Sequence, residues 1–193
     1  MRETDLICFD SVSLEGRTVI QETSTNSRRA TRSAGRHPRA TSAGNTTVFW
    51  TVGYEQATPD RFLDVLKHTE VDVVVDVRKT PLSRKKGFSK NQLQDALSKN
   101  GIDYIHVEAL GAPKEIRNRL HNGGTWWGYV KAYEKVLESQ RAELLDLVEL
   151  VSSQRACLLC FERDPFSCHR SLVAREMTRL GNGRHLQVSH IQV

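Results

Sequence analysis

From residue 47 onward, the 193-residue chain is built of apolar blocks whose period switches between that of strands and that of helices. Val48 to Tyr54 (VFWTVGY) predicts a strand ending at Gly53. Thr58-Pro59 supplies an N-cap and a proline at the first helical position. The stripe Phe62, Leu63, Val65 and Leu66 then predicts a short helix over 59–68. Val71 to Arg78 (VDVVVDVR) is β-branched and nearly continuous, as expected of a strand covered on both faces. A basic loop follows, Lys79 to Gly87. Ser89 caps the next helix, which turns Leu93, Ala96 and Leu97 inward and ends at Gly101.

Ile102 to Val107 (IDYIHV) reads as a third strand, followed by Leu110-Gly111-Ala112-Pro113. Lys114 to Trp127 is irregular or partly helical, with a turn at Gly123-Gly124. Tyr129 to Val151 is the longest predicted helix, since Tyr133, Val136, Leu137, Leu144, Leu147, Val148 and Val151 keep the 3.6 period. Ala156 to Phe161 predicts a buried fourth strand. Asp164-Pro165 is a stop-and-cap signal, leading into a helix whose first turn carries Cys168, His169 and Arg170. His185 to Gln192 closes the chain as a fifth strand. Strands alternating with helices imply parallel pairing. The expectation is a single α/β domain over 47–193: a five-stranded, mostly parallel sheet with helices on both faces.

Residues 1–46 differ in kind. Ser24 to Asn45 is rich in Ser, Thr, Arg, Gly and Ala, and carries Arg28, Arg29, Arg32, Arg36 and Arg39 with no acids. Such a segment lacks the apolar content to offset the entropy of ordering, so it reads as a disordered basic tail. It is either a nucleic-acid arm or a dispensable extension. The net charge of +5 is divided between the two regions. Residues 1–46 hold seven Arg against five acids, and residues 47–193 hold 21 Lys and Arg against 18 acids. Charge alone therefore does not make the folded part a nucleic-acid platform.

With 38% hydrophobic residues the chain can build a core without a metal or disulfide staple. No apolar run reaches the roughly 18 residues of a membrane span. The acidic start lacks the basic and apolar regions of a secretion signal. Four unevenly spread cysteines do not make a disulfide framework, so a reducing cytoplasm is expected. The sequence sets no oligomeric state.

In open parallel sheets ligands bind at the carboxyl ends of the strands. Those ends carry Gly53-Tyr54, Asp76-Val77-Arg78, His106 to Gly111, and Cys160-Phe161-Glu162, with Cys168-His169-Arg170 on the same rim. Asp76 and Arg78 share a strand face; either they pair structurally or Asp76 braces Arg78 toward an anion. Arg170 at a helix N-terminus is placed to bind an anion. The same location, beside His169 and Arg170, is expected to lower the Cys168 pKa and activate the thiol. Alternatively, Cys168 packs inward.

Cys157 and Cys160 have a CxxC spacing, but in a strand residues three apart face opposite sides, so neither a shared metal nor a bond is expected. Cys160 shares a face with Glu162 and otherwise reads as a small buried hydrophobe. A zinc set of Cys160, Cys168, His169 and His106 is disfavoured, because adjacent Cys168 and His169 are poorly spaced for one tetrahedral centre. No metal site is expected from the spacing, the cofactor is left open, and a redox or metal protein would require bound zinc or iron in a purified sample. The loop cations Arg78, Lys79, Arg84, Lys85, Lys86 and Lys90 with Phe88, and the Trp126-Trp127 pair, either grip phosphates and stack bases or simply cover the domain edge.

These residues fall in an order that resembles a prokaryotic family called domain of unknown function 488. The shared pattern runs Thr51-Val52-Gly53-Tyr54, then Asp76-Val77-Arg78-Lys79-Thr80-Pro81-Leu82-Ser83, then Phe88-Ser89. It continues through Gly101-Ile102-Asp103-Tyr104 and Leu110-Gly111 to Cys160-Phe161-Glu162 and Cys168-His169-Arg170. Glu55 and Ala112 depart from it, where Ser and Gly are frequent. The resemblance implies one α/β domain with the signature residues gathered at one site, and brings no agreed reaction.

Two functional readings follow. One is an enzyme acting on an anionic, phosphate-bearing substrate, a nucleotide or nucleic acid. Gly53, Tyr54, Arg78, Ser83, Arg84, Gly111 and Arg170 would line or hold the anion, and Glu162, Asp76, Cys168 and His169 would carry the chemistry. The other is a non-catalytic module that binds a nucleotide or nucleic acid.

Overall fold

The computed structural model describes residues 46–181 and 183–193. Apart from Thr46, the tail read as disordered lies outside the described residues. The remainder is one sheet of five strands: β1 (Thr47–Gly53), β2 (Val73–Asp76), β3 (Asp103–His106), β4 (Ala156–Cys160) and β5 (Leu186–Ile191). Their order is β3-β2-β4-β1-β5 and every pairing is parallel. The helices are α1 (Pro59–His68), α2 (Lys90–Lys99), α3 (Lys114–His121), α4 (Trp126–Ser139), α5 (Arg141–Ser153) and α6 (His169–Leu180).

Strand parity sorts the core into two layers. Val52, Val74, Cys157 and Leu159 face Phe62 and Leu66 of α1 and Leu93 and Leu97 of α2. Phe49, Val73, Val75, Ala156 and Leu158 face Tyr133, Leu144 and Val148 of α4 and α5 and Val173 and Met177 of α6. β4, at the centre, is buried along its whole length, which is why its sequence is apolar without alternation. The chain after β4 turns to the α6 face, while the chains after its neighbours β1 and β2 turn to the α1–α2 face. The carboxyl end of β4 is thus flanked by two changes of crossover side, the places where such sheets open for ligands.

The start signals act as read at α1, where Thr58 Oγ1 accepts from the Arg61 N–H and Pro59 opens the helix. Ser89 does stand at the N-cap of α2, but its hydroxyl donates to the Ser83 carbonyl instead of capping. The single helix expected over 129–151 is two. Gln140 leaves helical geometry at φ −110°, ψ 34°, and α4 ends there before α5 begins. Periodicity missed the break because apolar positions on both sides still face one core. The segment expected to be partly helical contains α3, joined to α4 by a turn at Gly123, whose φ is +90°.

Candidate functional site

Because all strands are parallel, the loops after β1, β2, β3 and β4 gather at one edge of the sheet. Two polar assemblies stand there, on opposite faces.

The first lies toward α1 and α2. Asp76 is fully buried and Arg78 is 5% exposed. Arg78 Nε donates to Asp76 Oδ1 at 2.8 Å and Nη2 to Oδ2 at 2.5 Å, a bidentate pair. Nη1 donates to the Tyr54 hydroxyl oxygen at 2.7 Å and to the Phe88 carbonyl at 2.9 Å. Tyr104 completes the cluster by donating to Asp76 Oδ2 at 2.6 Å; burial and this carboxylate both push its pKa up. All three guanidinium nitrogens are therefore directed inward. Of the two roles read for Arg78, the structural pair is the one these contacts describe. Tyr54 also stacks on Phe88, with ring centroids 4.4 Å apart.

The second assembly lies at the end of β4, toward α4 and α6. After Cys160 the β4 strand ends, the next residues bring the Glu162 carboxylate against the two thiols, and the chain makes a tight turn over Pro165–Ser167. Asp164 caps that turn by accepting from the Phe166 N–H. Cys168 is then the N-cap of α6, with extended backbone at φ −129° and ψ 142°. The Cys160 and Cys168 thiols each donate to Glu162 Oε2 at 3.0 Å. His169 Nε2 lies 2.8 Å from the Val77 carbonyl. A carbonyl only accepts, so Nε2 carries a proton, and in the neutral ring Nδ1 presents a lone pair. Nδ1 faces Cys160 Sγ at 3.6 Å and Cys168 Sγ at 4.0 Å. The donor atoms of these four residues all lie within 4.8 Å of one another.

Arg170 holds the loop that carries Glu162. It is fully buried, and its Nη1 donates to the Glu162 carbonyl, Nη2 to the Arg163 carbonyl at 3.0 Å and Nε to Thr51 Oγ1 at 3.2 Å. As with Arg78, its nitrogens serve the fold. Gly53 permits this packing: a Cβ there would lie 1.8 Å from the Glu162 carbonyl oxygen. Gly111 permits the loops after β2 and β3 to meet, since a Cβ would come within 2.2 Å of the Lys79 backbone.

Tyr133 and Tyr129 of α4 cover the cluster. The Tyr133 ring meets the His169 ring edge-on, and its hydroxyl donates to the Leu110 carbonyl. Burial, then the neighbouring acidic groups of the cluster, pushes the Tyr129 pKa up.

The electrostatics reverse one expectation. Cys168 is 1% exposed, and burial pushes its thiol pKa up. The neighbouring Cys160 thiol acts the same way, and His169 does not offset them. A helix N-terminus lowers a thiol pKa only where solvent also admits the charged form. For Glu162, burial acts upward but is outweighed by the hydrogen bonds from Cys160 and Cys168, so its carboxyl sits below the usual value. For His169, burial acts downward and is outweighed by Cys168, the Val77 carbonyl and Glu162, so its pKa is raised.

Sequence spacing is a poor guide to the reach of these side chains. Adjacent Cys168 and His169 do meet at one centre, because one residue is still extended and the next is already helical. The fourth donor is Glu162, while His106 turns its Nε2 to the Arg78 carbonyl at 2.9 Å. Cys157 behaves as read, on the other face and away from the cluster. Ser83 is engaged inside its loop, accepting from the Lys85 N–H. Arg84, Lys86, Arg117 and Arg163 are exposed around the same edge. Trp126 stacks on Tyr129, whereas Trp127 is 70% exposed. Among the described residues, no helix is long and apolar enough to cross a membrane.

Sequence reasoning undervalued Cys160 and passed over Tyr129, Tyr133 and the Val77 carbonyl. The shared face of Cys160 and Glu162 was the signal for the first; nothing local marks the others.

Fold and site together define a class: a one-domain parallel α/β protein with a thiol–carboxylate–imidazole centre at the end of its central strand. A family model for a domain of unknown function, DUF488, matches residues 58–177, and the chain belongs to that family. No curated protein and no solved structure matches it.

Proposed function

We propose that this protein is an enzyme acting on an anionic, phosphate-bearing substrate, a nucleotide or nucleic acid, at the carboxyl edge of the sheet. The observation that carries the reading is the meeting of Cys160, Glu162, Cys168 and His169, since anion binding alone needs neither thiols nor an acceptor imidazole. Glu162 is the partly exposed member and the group that exchanges protons with a substrate; Asp76, sealed on the other face, is not. The exposed Arg84, Lys86, Arg117 and Arg163 meet the anion, in place of Arg78 and Arg170. The reading includes a reducing, cytoplasmic setting, in which two neighbouring thiols stay reduced. The 70% exposure of Trp127, with Lys131 over its ring, favours a second reading, a binding module that stacks bases.

The test is binding of nucleotides and single-stranded nucleic acid at several salt concentrations, followed by turnover assays. Arg84→Ala with Lys86→Ala is expected to weaken binding and to flatten the salt slope by about 2, near one for each cation withdrawn from a phosphate. Glu162→Gln is expected to retain binding and abolish turnover. If no such ligand binds the wild type, the anionic reading is wrong. If binding is seen without turnover in any protein, the module reading stands instead.

A further inference from the structure

We propose that Cys160, Glu162, Cys168 and His169 form a zinc site, with Glu162 the ligand that gives way to water or substrate. The site stands independently of which substrate the edge receives.

Two sulfurs and an imidazole select a borderline-soft ion over magnesium or calcium, which take oxygen ligands. The distances fit such an ion. Zinc bonds of about 2.3 Å to sulfur and about 2.0–2.2 Å to nitrogen or oxygen put the sulfur–nitrogen and sulfur–oxygen edges of a tetrahedron near 3.5–3.7 Å and its sulfur–sulfur edge near 3.8 Å. The sulfur–nitrogen edges here are 3.6 and 4.0 Å, and the two sulfur–oxygen edges are 3.0 Å. No two of the four donor atoms are more than 4.8 Å apart, so side-chain shifts of about an ångström or less draw them into the tetrahedral set.

The surrounding hydrogen bonds match those of a metal centre. A ligating histidine commonly donates its other ring N–H to a carbonyl or carboxylate, which fixes the tautomer and aims the free nitrogen. His169 does this, through Nε2 to the Val77 carbonyl. Arg170 pins the Glu162 carbonyl, and so the loop that presents the carboxylate. Two thiolates and a carboxylate leave one net negative charge on a bound zinc. The buried Arg170 guanidinium and the start of α6 are placed to offset it. On binding, the Cys160 and Cys168 S–H bonds give way to S–Zn bonds and two protons pass to solvent, while His169 Nδ1 contributes a lone pair it already presents.

The position of each ligand tells the kind of site. Cys160, Cys168 and His169 are 2%, 1% and 6% exposed, whereas Glu162 sits on a loop and is partly exposed. Three buried protein ligands with a fourth position open to exchange is the catalytic form of a zinc centre; a structural site has four closed ligands.

The experiment uses the full chain, reduced and stripped by a chelator, then titrated with cobalt(II) as a spectroscopic stand-in and with zinc in competition. One equivalent of cobalt is expected to give thiolate-to-metal charge-transfer bands and tetrahedral ligand-field bands, both abolished by zinc. Cys160→Ser and Cys168→Ser are each expected to weaken binding by on the order of a hundredfold or more, at least as much as removal of a hydrogen-bond partner behind a ligand does. Cys157→Ala, on the other face of the sheet, leaves the titration unchanged. Glu162→Gln keeps the ion but shifts the ligand-field bands as water replaces carboxylate. Failure of the wild type to bind one equivalent overturns the proposal, as does a spectrum that survives loss of both cysteines. So does a Cys160–Cys168 disulfide in place of metal uptake. None of these results depends on a nucleotide, so the zinc site and the anionic substrate fail or stand separately.

Discussion

Replacing Asp76 by Ala tests whether Arg78 is a brace or a hand held out to a ligand. Asp76 is fully buried, accepts two guanidinium hydrogen bonds, and is the acceptor for Tyr104. Removing it leaves a guanidinium buried without its counter-charge, which costs about 3–5 kcal/mol. The stranded Tyr104 hydroxyl adds about 1 kcal/mol. For a domain of this size the sum lowers the melting temperature by roughly 8–24 °C. Arg78→Met costs a comparable amount, because Asp76 is then the buried orphan. The pair Asp76→Leu with Arg78→Met removes both charges together and is expected to be more stable than Asp76→Leu alone. The assay is urea unfolding of the single and double variants, read as a double-mutant cycle. A loss below about 1 kcal/mol in Asp76→Ala, or additivity within about 0.5 kcal/mol, refutes the brace. So does rescue of Asp76→Ala by inorganic phosphate, because an anion that reaches Arg78 shows the guanidinium is open to ligands.

Gly53→Ala is expected to destabilise by about 3 kcal/mol, the upper range for overpacking, since its Cβ would overlap the Glu162 carbonyl and no flexible side chain can yield; an unfolding midpoint equal to wild type contradicts this. His190 Nδ1 and Thr51 Oγ1 share a hydrogen bond at 2.8 Å, and the same hydroxyl accepts from Arg170 Nε at 3.2 Å. Burial and then Arg170 lower the His190 pKa below its usual 6.5, so the unfolded chain binds the proton more readily. Stability from this group is complete above about pH 6.5 and is lost as pH falls from there to the folded value. Proton NMR titration is expected to place His190 below about 6.5 in the wild type and closer to that value in Arg170→Met; a titration at or above it in the wild type refutes the assignment.

How much of this was legible in the chain depends on the range over which each signal acts. The strands were readable because β-branched runs such as Val73–Val75 have one meaning when flanked by caps and glycines. The division of α4 from α5 was not, because Gln140 breaks the helix through its own dihedrals while leaving the apolar period intact. Gathering of the site at one edge followed from parallel pairing, a topological consequence. The roles of Arg78 and Arg170 did not follow, because an arginine near a helix start or strand end reads as anion-binding whichever way its donors point. Burial decides, and burial is a property of the whole fold: Phe88, Tyr54 and Thr51 come from 10 to 119 residues away to absorb those donors. Cys168 is a similar case. Its neighbours in sequence argue for a lowered pKa, and its neighbours in space exclude the water that would make the charge tolerable.

The two polar assemblies share one stretch of backbone. Val77 and Arg78 are consecutive, so their side chains leave on opposite faces of the sheet. The Arg78 side chain locks onto Asp76 toward α1 and α2, while the Val77 carbonyl accepts the His169 Nε2–H toward α6. The Asp76 carboxylate also accepts from the Arg78 backbone N–H at 3.1 Å, fixing the peptide whose carbonyl belongs to Val77. The ion pair on one face thus holds the atom that selects the histidine tautomer on the other. Asp76→Ala accordingly carries a second readout besides stability. With that peptide free to rotate, His169 loses its orienting acceptor, and cobalt affinity is expected to fall by about 10–100-fold although no ligand has been touched. Loss of stability with unchanged cobalt binding would mean the two faces are energetically separate and the family's Asp-Val-Arg run serves the sheet alone.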